Sequence, residues 1–168
     1  MGGVETNPED IQAVVALAAR CEAATGPDRE LDLAIHRAVG RAEEMNRIID
    51  SGRRGLDGEE GRAWDIQRGA LIYEVRNTNG VCWANGGIPL PAYTASLDAA
   101  MTLVPEGWWL QHLGHIIGGW CCRVETNGPP SCSIGVGFRR EQRIPTPALA
   151  LCAAALRARA AILSGEAG

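Results

Sequence analysis

Apolar positions along the chain switch between helical and strand spacing several times. Behind Asn7-Pro8, residues Ile11, Val14, Val15, Ala18 and Cys21 fall three and four apart, which predicts one face of a helix over 8–24. Thr25-Gly26 stops that helix. Pro27, Asp28 and Glu30 open a second one, with Leu31, Ile35, Ala38 and Val39 as its stripe, so the two make a helical hairpin. From Arg41 to Arg62 the period fades into "RAEEMNRIIDSGRRGLDGEEGR", where charges of both signs and interspersed glycines predict a solvated insertion over about 41–62.

Strand patterns follow. "ALIYEVR" (70–76) and "VCWA" (81–84) flank "NTNG", an Asn-Gly hairpin signal. After Pro91 the spacing turns helical again, with Leu97, Ala100, Met101 and Val104 on one face, Ser96 as N-cap, Asp98 in the first turn and Pro105 as the stop. "GWWLQHLGH", "GGWCCRVE" and "SCSIGVGF" predict three strands of an antiparallel meander. The last segment, "TPALALCAAALRARAAILSG", predicts a helix capped by Thr146, with Pro147 at its first position. Its stripe is Leu149, Cys152, Ala153, Leu156, Ala160 and Leu163, and Gly165 ends it. This order of elements predicts an α+β protein, an antiparallel sheet covered by helices, in a single domain over 1–168.

Composition narrows the function classes. A net charge of −4 gives no broad attraction to phosphate backbones, so no DNA or RNA partner is expected. No apolar run approaches the ~20 residues of a membrane helix, and "MGGVETNPED" lacks the basic-then-apolar order of a signal peptide, so no membrane partner is expected either. The six cysteines are then expected as reduced thiols in a cytosolic protein. Of the five tryptophans, Trp83, Trp108, Trp109 and Trp120 fall within 81–122, which marks either a thick part of the core or a ring-lined cavity.

Candidate chemistry is sparse. His112, His115, Cys121, Cys122 and Cys132 are zinc-type residues, but Cys121 and Cys122 are adjacent and on a strand point to opposite faces, as do His112 and His115. No metal site is expected, and no spacing selects a cysteine–histidine pair for nucleophilic chemistry. Ser96 lies in "TASLD", a helix cap and not a nucleophile elbow. Glu43-Glu44 and Glu59-Glu60 sit in the charged segment as solvated surface. All 16 basic residues are arginines, so "SIGVGFRR" cannot be a lysine-bearing phosphate loop. Arg139, Arg140 and Arg143 lead into the helix capped by Thr146; they read either as a solvated loop or as a site where planar guanidiniums and a helix N-terminus meet an anion. Strand alternation puts Trp108 and Trp109 on opposite faces, one for the core and one for a surface or pocket.

"PAYTASLDAAMTLVPEGWW", followed after a short sheet by "TPALALCAAALRARA", resembles the phage ABA-sandwich domain proteins, small bacteriophage and prophage accessory proteins; "AATGPDRELDLAI" is similar to their opening helix. The resemblance covers roughly residues 16–40 and 91–163, with 41–90 as a longer insertion. It implies an α/β/α layered sandwich with a central, mainly antiparallel sheet and helices on both sides, and a phage origin, hence the cytoplasm of a bacterial host. By analogy with compact phage proteins that blunt host immunity, it also implies a non-catalytic anti-defence protein. Such a protein binds and withholds a nucleotide immune signal, of the cyclic ADP-ribose or cyclic oligonucleotide type, without cleaving it. The ligand-binding residues expected are Trp83, Tyr93, Thr94, Ser96, Asp98, Trp108, Trp120, Arg139, Arg140, Arg143 and Thr146, in a homo-oligomer that uses no cofactor. Tyr93 is equally readable as a staple that holds its helix to the core. Two alternatives stand beside this one: an inhibitor that contacts a host defence protein, and an enzyme that degrades a nucleotide signal.

Overall fold

The computed structural model describes residues 7–41, 43, 47, 59–65, 69–76, 82–126 and 132–166. Helices α1 (Pro8–Ala23) and α2 (Arg29–Ala38) are followed by strands β1 (Glu59–Asp65), β2 (Ala70–Arg76) and β3 (Cys82–Pro89). The short helix α3 (Leu97–Met101) leads to β4 (Trp108–Ile116), β5 (Gly119–Thr126) and β6 (Ser133–Val136), and α4 (Pro147–Leu163) closes the chain. The fold is α+β, as the order of elements predicts.

The helix starts are local chemistry. Each cap side chain accepts a hydrogen bond from a backbone N–H of its own first turn, a donor with no intrahelical partner. Asn7 Oδ1 takes Glu9 N at 3.1 Å, Asp28 Oδ1 takes Glu30 N at 2.8 Å and Leu31 N at 3.1 Å, Ser96 Oγ takes Ala99 N at 3.3 Å, and Thr146 Oγ1 takes Leu149 N at 3.2 Å.

Helix α4 is the centre of the molecule. An apolar stripe predicts one buried face, yet Ala148–Leu156 are all buried, and so are Ala158, Ala160 and Ala161. A helix buried on every side is one with neighbours on every side: α1 and α3 pack along it, and it lies on β5, β6 and β4. Its many alanines allow those close approaches without loss of helix propensity. Leu163, expected in the stripe, is exposed at the C-terminal end. In α3 the buried residue is Ala100, followed by Leu103, whereas Leu97 and Met101 are exposed, because the helix is only 5 residues long and docks through its C-terminal end.

The described strands form two antiparallel three-stranded sheets, β1-β2-β3 and β4-β5-β6, where one central sheet was expected. The chain leaves the first sheet at Pro89 and Pro91, which carry no backbone N–H to extend a ladder, and passes through the 90–96 turn and α3 before β4 starts. β2 and β3 pair as the Asn-Gly signal predicts, although β3 runs on to Pro89 and the turn itself lies outside the described residues. Glu59–Arg62, expected in a solvated insertion, belong to β1 and pair with Arg76 to Tyr73 of β2; most of 42–58 lies outside the described residues. Sheet β4-β5-β6 takes α4 on one face. Trp108, Cys122, Val124 and Val136 point into the core there, with Leu110, Leu113, Trp120 and Ile134 packed around them. No described helix packs over its other face, where Trp109 is 41% and Phe138 40% exposed; the resemblance implies helices on both sides. Among the described residues no helix is long and apolar enough to cross a membrane.

Candidate functional site

Two clusters of polar and aromatic side chains stand out. The first is a buried belt between α2, the 90–96 turn and α4. Asp32, at 0% exposure, accepts from Arg29 Nη1 at 2.7 Å on one oxygen and from the Thr94 backbone N–H at 2.7 Å on the other. Arg29 also donates to the carbonyls of Leu90 (2.8 Å), Pro91 (3.3 Å) and Gly69 (3.3 Å), so one guanidinium fastens the start of α2 to the end of the first sheet. Thr94 Oγ1 exchanges hydrogen bonds with the backbone of Asp28. Next to it the Tyr93 hydroxyl and His36 Nδ1 lie 2.8 Å apart, and Arg41 reaches the same hydroxyl. Burial pushes the Tyr93 phenol above its ordinary 10.0 against the pull of Arg41. The Cys152 thiol donates to the Tyr93 carbonyl at 3.2 Å and is pushed up first by its hydrogen bond with Cys21 and then by burial. Thiols held protonated in this way are poor nucleophiles.

The second cluster covers the open face of sheet β4-β5-β6. A bulge between Leu110 and His112 resets the alternation, so that Trp109, His112, Gly114 and Ile116 share this face with Cys121, Arg123 and Glu125 of β5. Ser133 and Gly135 of β6 complete it. Two glycines make room for rings. A Cβ on Gly114 would sit 2.7 Å from His112 Nε2, and one on Gly135 would sit 3.0 Å from Phe138 Cε2, so the imidazole and the phenyl lie directly on the sheet. Their ring centroids are 5.8 Å apart, and the Arg123 guanidinium stands 4.9 Å from the phenyl centroid, within cation–π range. Below them the Cys121 thiol donates to the Gly114 carbonyl at 3.4 Å. Phe138 leads directly into the loop that carries the exposed Arg139, Arg140 and Arg143.

The expected ligand residues fall into separate environments. Tyr93 and Thr94 are fully buried with their polar atoms engaged in the belt, Ser96 and Thr146 cap helices, and Asp98 is exposed in the first turn of α3. Trp108 is in the core, and Trp120 is half-buried against it with His115 edge-on at 5.5 Å. The side chain of Trp83 lies outside the described residues. Of the expected set, Arg139 and Arg140 follow Phe138 in the chain, Arg143 lies against Gly118 at the β4–β5 turn, and Gln142 of the same loop donates to Glu22 of α1 at 3.3 Å. Trp109, His112, Arg123 and Phe138 were not expected on the open face. Alternation names Trp109 and Trp108 as alternatives, and an arginine amid the apolar run of β5 is the signal for Arg123; the bulge and the glycine seats leave no mark of their own on sequence spacing.

Among the described residues no group of three or more histidines, cysteines or carboxylates is placed to hold a metal ion. Comparison of the chain with protein-family models, with characterised proteins and with solved structures gave no match in any of the three.

Proposed function

We propose that this chain is a phage anti-defence protein that works by binding, capturing a nucleotide-derived immune signal on the open face of sheet β4-β5-β6 and releasing it unchanged. One observation carries the proposal: on a sheet face with no described helix over it, Trp109 and Phe138 are exposed, the Arg123 guanidinium stands against the Phe138 ring, and Phe138 runs on in the chain into Arg139 and Arg140. Rings that present a face to solvent can stack a base, at about 1–3 kcal/mol per base, and arginine forks suit phosphate oxygens. The resemblance to the phage ABA-sandwich proteins supplies the biological setting. An open face encloses only one side of a ligand, and tight capture needs more enclosure than that, so a second copy closing over the first is part of the proposal.

The test is incubation of the purified protein with cyclic dinucleotides, cyclic trinucleotides and ADP-ribose-derived signals, with chromatography before and after heat denaturation. Depletion of one signal and its intact return supports capture; return of an altered product makes the protein an enzyme. A second reading, contact with a host defence protein, is favoured by Ile116 and Ile117 at the β4–β5 turn. Ile117 is 85% exposed, an apolar tip that a nucleotide does not require. Depletion of no signal would favour it.

A further inference from the structure

Helix α4 carries two arginines two positions apart, and they are treated differently. Arg157 faces a shallow hollow of about 410 Å³ and is neutralised by Glu22, with Nε to Oε1 at 2.6 Å. Arg159 faces a smaller hollow of about 230 Å³ between α1, the end of α2 and the end of α4. The walls of that hollow are apolar: Val14, Val39, Pro105, Ile162 and Leu163. Among the described residues the sole acceptor on the Arg159 guanidinium is the carbonyl of Leu103, which takes Nε at 2.7 Å and leaves both Nη groups without a partner. Arg41, tethered by Nη2 to the Thr102 carbonyl at 2.8 Å, adds a second positive charge nearby. Burial, and then the charge of Arg41, hold Arg159 below the ordinary guanidinium range. A half-buried guanidinium with spare donors and no acid among the described residues is costly, and an anion would relieve that cost.

We propose that this hollow is a binding site for a small aliphatic monocarboxylate, its carboxylate on the Nη groups of Arg159 and its tail on Val39, Ile162 and Leu163. The charge on one wall selects an anion and the apolar remainder selects a hydrocarbon. At about 30 Å³ per water-sized group, the space of about 230 Å³ takes about eight non-hydrogen atoms, the size of hexanoate. The site lies among the helices and does not depend on the nucleotide proposal.

The probe pair is hexanoate and hexan-1-ol, which share a tail and differ in charge, titrated calorimetrically into the full chain. Hexanoate should bind saturably, one per chain, and about 10- to 140-fold tighter than the alcohol, the span expected for hydrogen bonds to a charged group. Arg159→Gln should bring hexanoate down to the level of the alcohol. Ile162→Trp, at a rim residue 39% exposed, should fill the hollow and weaken both probes, and it decides the matter if Arg159→Gln does not fold. Equal binding of acid and alcohol, no saturation by hexanoate, or unchanged hexanoate binding in Ile162→Trp would overturn the proposal.

Discussion

Trp108 and Trp109 are chain neighbours of the same chemistry on opposite faces of β4, and their removal should have opposite consequences. Trp108 is 9% exposed and belongs to the core cluster with Val124, Cys122 and α4. Truncating such a ring removes its burial and leaves a cavity that the packed helix cannot fill, so Trp108→Ala should cost about 3–5 kcal/mol. For a chain of 168 residues each kcal/mol lowers Tm by about 2–4 °C, which places the variant about 6–20 °C below the parent. Trp109 is 41% exposed and faces Glu125 on the open side. Surface substitutions of this kind stay within about 0.5 kcal/mol, so Trp109→Ala should melt within about 2 °C of the parent. Thermal melts and urea titrations of the two variants measure both values. A one-residue slip of β4 would exchange the faces of every side chain on it; equal losses, or the larger loss at Trp109, would refute the register on which both the core and the open face depend.

Two further outcomes follow from the buried belt and the thiols. Arg29→Ala leaves the fully buried Asp32 without its cation and frees the carbonyls of Leu90 and Pro91, so it should lower the urea-derived stability by up to about 3–5 kcal/mol; a change below about 0.5 kcal/mol would remove the clamp from the account. Alkali should destabilise the fold, because Cys122 is pushed up to about 12 from 9.0, chiefly by burial and then by Cys121, and Tyr93 lies above 10.0. Below pH 9 both states keep the Cys122 proton and its contribution is complete. Between pH 9 and about 12 the unfolded chain releases it while the folded chain holds it, so stability falls as pH rises. The urea midpoint should therefore be lower at pH 10.5 than at pH 8; equal midpoints would contradict the burial of these groups.

What sequence spacing could reveal divides along physical lines. Ser96 and Thr146 were legible as caps, and Asn7 and Asp28 as marking helix starts, because a cap bonds within its own first turn. The three strands from Trp108 to Val136 were legible because alternation and turns are also local. The role of Tyr93 and Thr94 was not. Their partners His36 and Asp32 lie 57 and 62 residues away, and only tertiary packing brings them together. The sequence resemblance and the turn both directed ligand residues to Tyr93 and Trp108, whereas the fold uses these groups internally. The outward side of β4 could not be chosen from sequence, because apolar rings occur at successive positions and the bulge at Leu110–His112 shifts the phase. For α4, apolar side chains all round give a helix with no preferred face, and only the positions of α1, α3 and the second sheet show it to be central.

The central claim is that the open face of the second sheet is where a nucleotide binds, and the indole N–H signals of the five tryptophans report on it directly. With the captured nucleotide added to saturation in a nuclear magnetic resonance titration, the Trp109 signal should move strongly and that of Trp108, on the opposite face, should stay close to its free position. A nucleotide that saturates the protein and leaves Trp109 unmoved, or a panel from which no nucleotide produces any shift, would contradict the account.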